Sequence, residues 1–213
     1  MSFLRKKFSY SYFYVTFIMV AINVAVFLLA QRSNIASLFS LNLYSVIDRW
    51  QLWRLVTYMF TQYNFSHLFW NMFGILMFGV TVEKAVGSKE FLMFYLVTGI
   101  LGGLFSLIVY ALSGNPFVNL IGASGVLYAI LFAYAVIFPK SRIFIWGIIP
   151  VRAPILVLIY AVIEFVTSFD YGSHIAHYTH LFGFVAAGLY FVIRFGVHPF
   201  KVWKRSLKDS DNQ

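Results

Sequence analysis

Residues Phe117 to Phe138 read FVNLIGASGVLYAILFAYAVIF, an uncharged run that carries a serine beside two glycines, Gly122-Ala123-Ser124-Gly125. An apolar stretch of about 20 residues is what crosses the hydrocarbon of a bilayer as a helix. Glycines beside a hydroxyl let a substrate backbone approach it, which is what a buried nucleophile needs. Working outward, further apolar runs lie at Tyr12 to Ala30, Phe65 to Val82, Phe91 to Leu112, Ala153 to Phe169 and Ile175 to Val197. With the serine run they predict an all-α membrane protein of six transmembrane helices.

Composition agrees, since 61% hydrophobic and 11% charged residues leave too little polar surface to coat a soluble globule. Arg5, Lys6 and Lys7 before the first run give it the look of a signal peptide. No small-residue cleavage site closes it, and it reads as a retained helix. With no cysteine in the chain, disulfides, thiolate metal sites and a cysteine nucleophile are excluded. The expected organisation is a cytoplasmic segment 1–11, a six-span catalytic domain 12–197 and a basic cytoplasmic tail 198–213.

Orientation follows from the basic residues, which collect on the cytoplasmic side of a membrane. With six spans, thirteen of the sixteen Lys and Arg fall on the side of both termini, and only Arg32, Arg49 and Arg54 fall opposite. Both termini are therefore expected in the cytoplasm, in the cell (inner or plasma) membrane. The net charge of +9 reads as anchoring against anionic lipid. No nucleic-acid motif accompanies it, and no nucleic-acid partner is expected.

Polar residues inside spans are costly and mark candidate sites. Spans two, four and six all run inward from the outer face and carry His67 with Asn71, Ser124, and His180. At 1.5 Å per residue, Asn71, Ser124 and His180 lie on the order of 8–10 Å below the outer ends of their spans. The four-residue step from His67 to Asn71 puts both on one helical face as paired donors, a possible oxyanion hole. The Ser124 amide offers a further donor at the start of a helix. Tyr128, one turn on, is placed to pack on the imidazole of His180. Gly183 and Ala187 continue a small-residue face below His180 that lets span six approach span four.

These residues together resemble the rhomboid intramembrane serine proteases over roughly Tyr12 to Val197. The likeness rests on Trp53-Arg54, His67-x-x-x-Asn71, Phe78-Gly79 through Glu83, Gly122-Ala123-Ser124-Gly125 with Tyr128, and His180-Leu181-Phe182-Gly183. The resemblance implies a six-helix rhomboid-like bundle around a water-accessible cavity. It implies Ser124 as nucleophile and His180 as general base of a dyad, with His67, Asn71 and the Ser124 amide around the oxyanion beside Gly122. It also implies transmembrane protein substrates cut near the outer face and lateral entry by movement of span five and the loop above span six; no cofactor or metal is expected.

Other readings compete. The family often shows Ala-His at the catalytic histidine, so Ala176-His177 rivals Thr179-His180. Gly183 three residues on and Ala187 seven on favour His180. A zinc site of His174, His177 and His180 lacks the His-Glu-x-x-His spacing, and steps of three turn the outer two histidines apart. Glu164 inside span five reads as a hydrogen-bonded structural residue rather than a proton or gating site. Asp170 reads as solvated rather than as a third member beside His180. Trp146 and the phenylalanine-rich runs read as lipid-facing surface, and Trp53-Arg54 as a loop anchor. A catalytically silent rhomboid-like protein that binds membrane helices is the alternative to an enzyme.

Overall fold

The computed structural model describes residues 8–145, 147–169 and 174–208, with side chains from 177 onward in the last segment. Arg5, Lys6, Lys7, Trp146, Asp170, the side chains of His174 and Ala176, and residues 209–213 of the tail lie outside the described residues. In chain order the helices are α1 (Val15–Ala30), the short α2 (Ile35–Phe39), α3 (Leu43–Ile47) and α4 (Arg54–Thr57), then α5 (Phe65–Gly74), α6 (Val80–Val86), α7 (Ser88–Leu112), α8 (Ser124–Ile137), α9 (Ala153–Thr167), α10 (His174–Tyr190) and α11 (Pro199–Lys208). A π-helical turn, Ile75–Gly79, joins α5 to α6, and another, Phe191–Phe195, prolongs α10. Strands β1 (Arg142–Ile145) and β2 (Ile149–Arg152) form an antiparallel hairpin between α8 and α9.

Three of the described helices are long and apolar enough to cross a membrane: Phe65–Val86, Ser88–Leu112 and His177–Phe195. Val15–Ala30, Ser124–Ile137 and Ala153–Thr167 are apolar but shorter. The fourth run differs from expectation. Helix begins at Ser124 itself, and the preceding stretch is non-helical, pairing with the first loop through Leu41 N to Leu120 O at 2.9 Å and Leu120 N to Leu41 O at 2.8 Å. Gly122 has φ +125°, which breaks the helical path that its apolar neighbours would otherwise follow. The hairpin was also not foreseen, and residues 199–208 of the expected tail form α11, whose Trp203 indole donates to the Ala135 carbonyl at 2.9 Å.

Helix α8 is the central rod, with Val126, Ala129, Ile130, Ala133 and Ala135 at most 1% exposed. Around it stand α5 with its π turn, α7, α9 and α10. Glycines set the closest approaches: a Cβ on Gly74 would meet Leu127 of α8 at 2.8 Å, and one on Gly79 would meet Thr16 of α1 at 3.1 Å.

Buried carboxylates tie helices together. Glu83 accepts from the amides of Val15 and Thr16 at 2.7 and 2.8 Å and from the hydroxyls of Thr16 and Ser88. It stands where the positive end of α1 favours an anion. Glu90 of α7 takes a two-pronged contact from Arg194, both bonds at 2.8 Å, and a hydrogen bond from the Tyr190 hydroxyl at 2.6 Å. In the first loop, buried Arg54 donates to the Gln51 side chain at 2.6 Å and to the carbonyls of Ser37, at 2.7 Å, and Ser40. Burial pulls its guanidinium pKa down without discharging a group that stays protonated in proteins. The Trp53 indole donates to the Leu38 carbonyl at 3.3 Å, so this pair of residues holds loop backbone.

Removing one partner of a buried ion pair leaves an uncompensated charge, at a cost of about 3–5 kcal/mol, whereas replacing both is far milder. Arg194→Met alone should lower the thermal unfolding midpoint in micelles sharply, and Glu90→Leu combined with Arg194→Met should recover most of the loss. Equal destabilisation in single and double variants would contradict this account.

Candidate active site

Ser124 is the first residue of α8, so its amide has no intrahelical carbonyl to bond. The Gly122 amide donates to the Tyr58 carbonyl at 3.0 Å, which fixes the turn that presents the serine. The Ser124 hydroxyl lies 2.7 Å from His180 Nε2. The two residues come from different helices, and the chain packs them through glycine. A Cβ built on Gly183 would stand 2.3 Å from the Gly125 carbonyl oxygen, closer than real Cβ contacts come, so α8 and α10 meet backbone to backbone there.

Tyr128 lies flat on the His180 ring, with centroids 4.5 Å apart and planes at 5°. Its hydroxyl donates to Glu164 Oε1. The other oxygen of Glu164 stands 2.6 Å from His177 Nδ1 and 3.1 Å from His180 Nδ1. The first is a hydrogen bond; the second has ion-pair proximity without in-line alignment, since among the described residues buried His180 Nδ1 makes no hydrogen bond. His177 Nδ1 also lies 3.1 Å from the Thr167 hydroxyl. Glu164 therefore bridges both histidines, where the sequence suggested a structural carboxylate without a named partner. Its partners arrive from α8 and α10, which no local spacing reveals.

Glu164, His177 and His180 are also metal-ligating types whose ligand atoms lie within 4.8 Å of one another. With zinc–nitrogen bonds of about 2.0 Å, two ligands of one tetrahedral ion stand about 3.3 Å apart. The 2.6 Å between Glu164 and His177 is a hydrogen-bond distance, too short for that spacing.

His67 reaches the same place from α5. A Cβ on Gly122 would lie 2.8 Å from His67 Cε1, 3.1 Å from its Nε2 and 3.6 Å from the Ser124 hydroxyl. His67 Nδ1 accepts from the Tyr63 amide at 3.2 Å, which assigns the ring proton to Nε2 and makes that nitrogen a donor beside the serine. Asn71 is buried and donates to the Gln62 side chain at 2.8 Å, leaving one further N–H. Gln62, which the sequence reading passed over, donates in turn to Asn23 at 2.8 Å. A largely apolar cavity of about 520 Å³ lies between α5, α8, α9 and the hairpin, walled by Trp70, Phe73, Met77, Tyr128, Leu156 and Tyr160 among others.

The arrangement sets a hydroxyl beside an imidazole nitrogen, a carboxylate on the far side of that ring, and N–H donors near the hydroxyl. Comparison with known proteins adds that the family model for the Rhomboid domain matches residues 49–197. The chain is similar to Rhomboid protein 1, mitochondrial, of Saccharomyces cerevisiae, at 30% identity over 125 residues, 54% of this chain and 36% of that protein. It is similar to the Putative rhomboid protease YdcA of Bacillus subtilis at 28% over 124 residues, 52% of this chain and 60% of that protein. Rhomboid-like protease 2 of Toxoplasma gondii is 25% identical over 166 residues, 76% of this chain and 56% of that protein. The match thus spans less than two thirds of each of these relatives' own length.

Added bulk at Gly183 has nowhere to go, whereas a Cβ on Gly188 would meet only Phe132 at 3.5 Å. Gly183→Val should destabilise the protein by about 2 kcal/mol or more and Gly188→Val by clearly less. Thermal unfolding of the two variants side by side checks the ranking, and equal midpoints would remove the helix contact from the argument.

Proposed function

The chain belongs to the rhomboid family, and on that premise we propose that it is an intramembrane serine endopeptidase that cleaves transmembrane protein substrates near the outer membrane face. One observation carries the reading: the Ser124 hydroxyl hydrogen-bonded to His180 Nε2 at 2.7 Å. The six apolar helices then all span, both termini are cytoplasmic, and residues 12–197 form the catalytic domain. The Lys- and Arg-rich side faces the cytoplasm of a cell membrane.

A substrate helix must first unwind, because a helical carbonyl is hydrogen-bonded and shielded. The apolar cavity between α5 and α9 suits a lipid-side approach for such a segment. His180 Nε2 takes the proton of Ser124 as Oγ attacks the carbonyl carbon. The negative charge that moves to the carbonyl oxygen is held by the Ser124 amide, His67 Nε2–H and the remaining N–H of Asn71. The protonated His180 then gives its proton to the amide nitrogen, the C–N bond breaks and the acyl chain stays on Ser124 as an ester. Water, deprotonated by the same nitrogen, attacks the ester carbon; the C–Oγ bond breaks, the imidazolium returns the proton to Ser124 Oγ, and the carboxylic acid product leaves. Tyr128 holds the ring by stacking, and Gly122, Gly125 and Gly183 keep the space and the helix contact that the reaction needs.

The test is cleavage of a single-span reporter by purified protein in liposomes. Ser124→Ala and His180→Ala should each reduce the rate by at least about 10⁴-fold, and His67→Ala by about 10²-fold. A fluorophosphonate should label Ser124 in wild type, and chelators should leave cleavage intact. Cleavage that survives Ser124→Ala would end the serine reading, and a wild type that binds the reporter without cutting it would favour the silent helix-binding alternative.

A further inference from the structure

The mechanism above uses a serine and a histidine and leaves a buried carboxylate unexplained. Glu164 is 6% exposed on the apolar helix α9, where an ionisable group is costly unless its contacts offset the loss of water. Its two oxygens face Tyr128, His177 and His180. Oε1 accepts from Tyr128, the residue stacked on His180, and Oε2 stands 3.1 Å from His180 Nδ1. Ser124 Oγ is hydrogen-bonded to His180 Nε2, and Glu164 Oε2 lies on the Nδ1 side of the same ring, so groups from α8, α10 and α9 follow one another across the site.

We propose that Glu164 is a positioning residue that completes a Ser124–His180–Glu164 relay, with His177 sharing the same carboxylate oxygen. The proposal rests on the serine-protease reading. For Nε2 to accept the Ser124 proton, the neutral ring must carry its own proton on Nδ1, and a carboxylate on that side selects this tautomer. When Nε2 takes the serine proton, the ring becomes a cation in a site of low dielectric, and the anion 3.1 Å away compensates it. The resting contact is not in line, as catalytic hydrogen bonds often are before substrate binds, and it closes by a small turn of the ring or carboxylate. The Tyr128 hydroxyl links the two tasks, holding the carboxylate while its ring holds the imidazole plane. His177, bonded to the same oxygen at 2.6 Å, anchors Glu164 from the other side.

The experiment measures kcat and KM separately on the single-span reporter for the full-length protein, with Ser124→Ala as the zero. Glu164→Gln, which keeps shape and loses charge, should lower kcat by roughly 10²–10⁴-fold with KM within about 2-fold. Glu164→Asp should recover part of the loss, and added formate should rescue Glu164→Ala but not Glu164→Gln. His177→Gln, which loosens the carboxylate without removing its charge, should lower kcat by clearly less than Glu164→Gln does. A Glu164→Gln enzyme with wild-type kcat would overturn the proposal, as would a loss confined to the unfolding midpoint. A measurement that needs no variant is the ¹⁵N spectrum of His180 in wild-type protein, where the neutral ring should be protonated at Nδ1; protonation at Nε2 would overturn the relay. Activity surviving in Ser124→Ala would instead break the underlying serine reading, which keeps the two failures apart.

Discussion

Where Gly125 meets Gly183 there is no room for a single methyl group, and that close contact decides how Ser124 and His180 meet. A helix pair held apart by side chains has axes about 8–10 Å apart, and the glycines allow α8 and α10 a closer approach. Ser124 is one residue before Gly125, at the first position of α8, and His180 is one turn before Gly183 on α10. Once the backbones touch, rotation and rise along the two helices bring hydroxyl to imidazole. Thr179 and Ser106 fix the third side of the contact, their hydroxyls 2.6 Å apart between α10 and α7.

A contact so dependent on small residues gains little dispersion energy of its own, and the register of the helices is specified by polar ties at their other ends. Glu83 caps α1 from α6, and Glu90 with Arg194 and Tyr190 joins α7 to the end of α10. Buried ion pairs contribute little net stability once desolvation is counted. In an apolar bundle they discriminate instead, because a helix that slides by one turn strands a charge. The first loop does the same for the serine. Arg54 gathers its carbonyls, Leu41 pairs with Leu120, and Asn119 accepts from Ser40 and Asn42, so the segment leading to Gly122 has a fixed path into α8.

Membrane character, the apolar runs and the grouping of His67, Ser124, Tyr128 and His180 were legible because each is written in local spacing or in the cost of a polar group among apolar neighbours. The start of α8 was not. The stretch before Ser124 is as apolar as a helix core, and its extended path depends on pairing with a loop some eighty residues earlier and on one glycine with positive φ. Glu164 shows the other limit: a carboxylate in an apolar run announces a partner without saying which helix supplies it. Gln62 is a milder case, a polar residue outside any apolar run whose role appears only when α1 and α5 close around it.

That last cluster sets the direction of the donors at the site. The Met19 carbonyl can only accept, so Asn23 must offer it an N–H, at 2.9 Å. The Asn23 oxygen is then left to accept from Gln62 Nε2, and the Gln62 oxygen to accept from Asn71 Nδ2. None of these three amides can flip without placing two donors or two acceptors face to face. The Tyr63 amide imposes the same constraint on His67, forcing its proton to Nε2. Two donors one turn apart on α5 thus have their polarity dictated by backbone groups outside the site, which is what the proposed oxyanion role of His67 and Asn71 asks for.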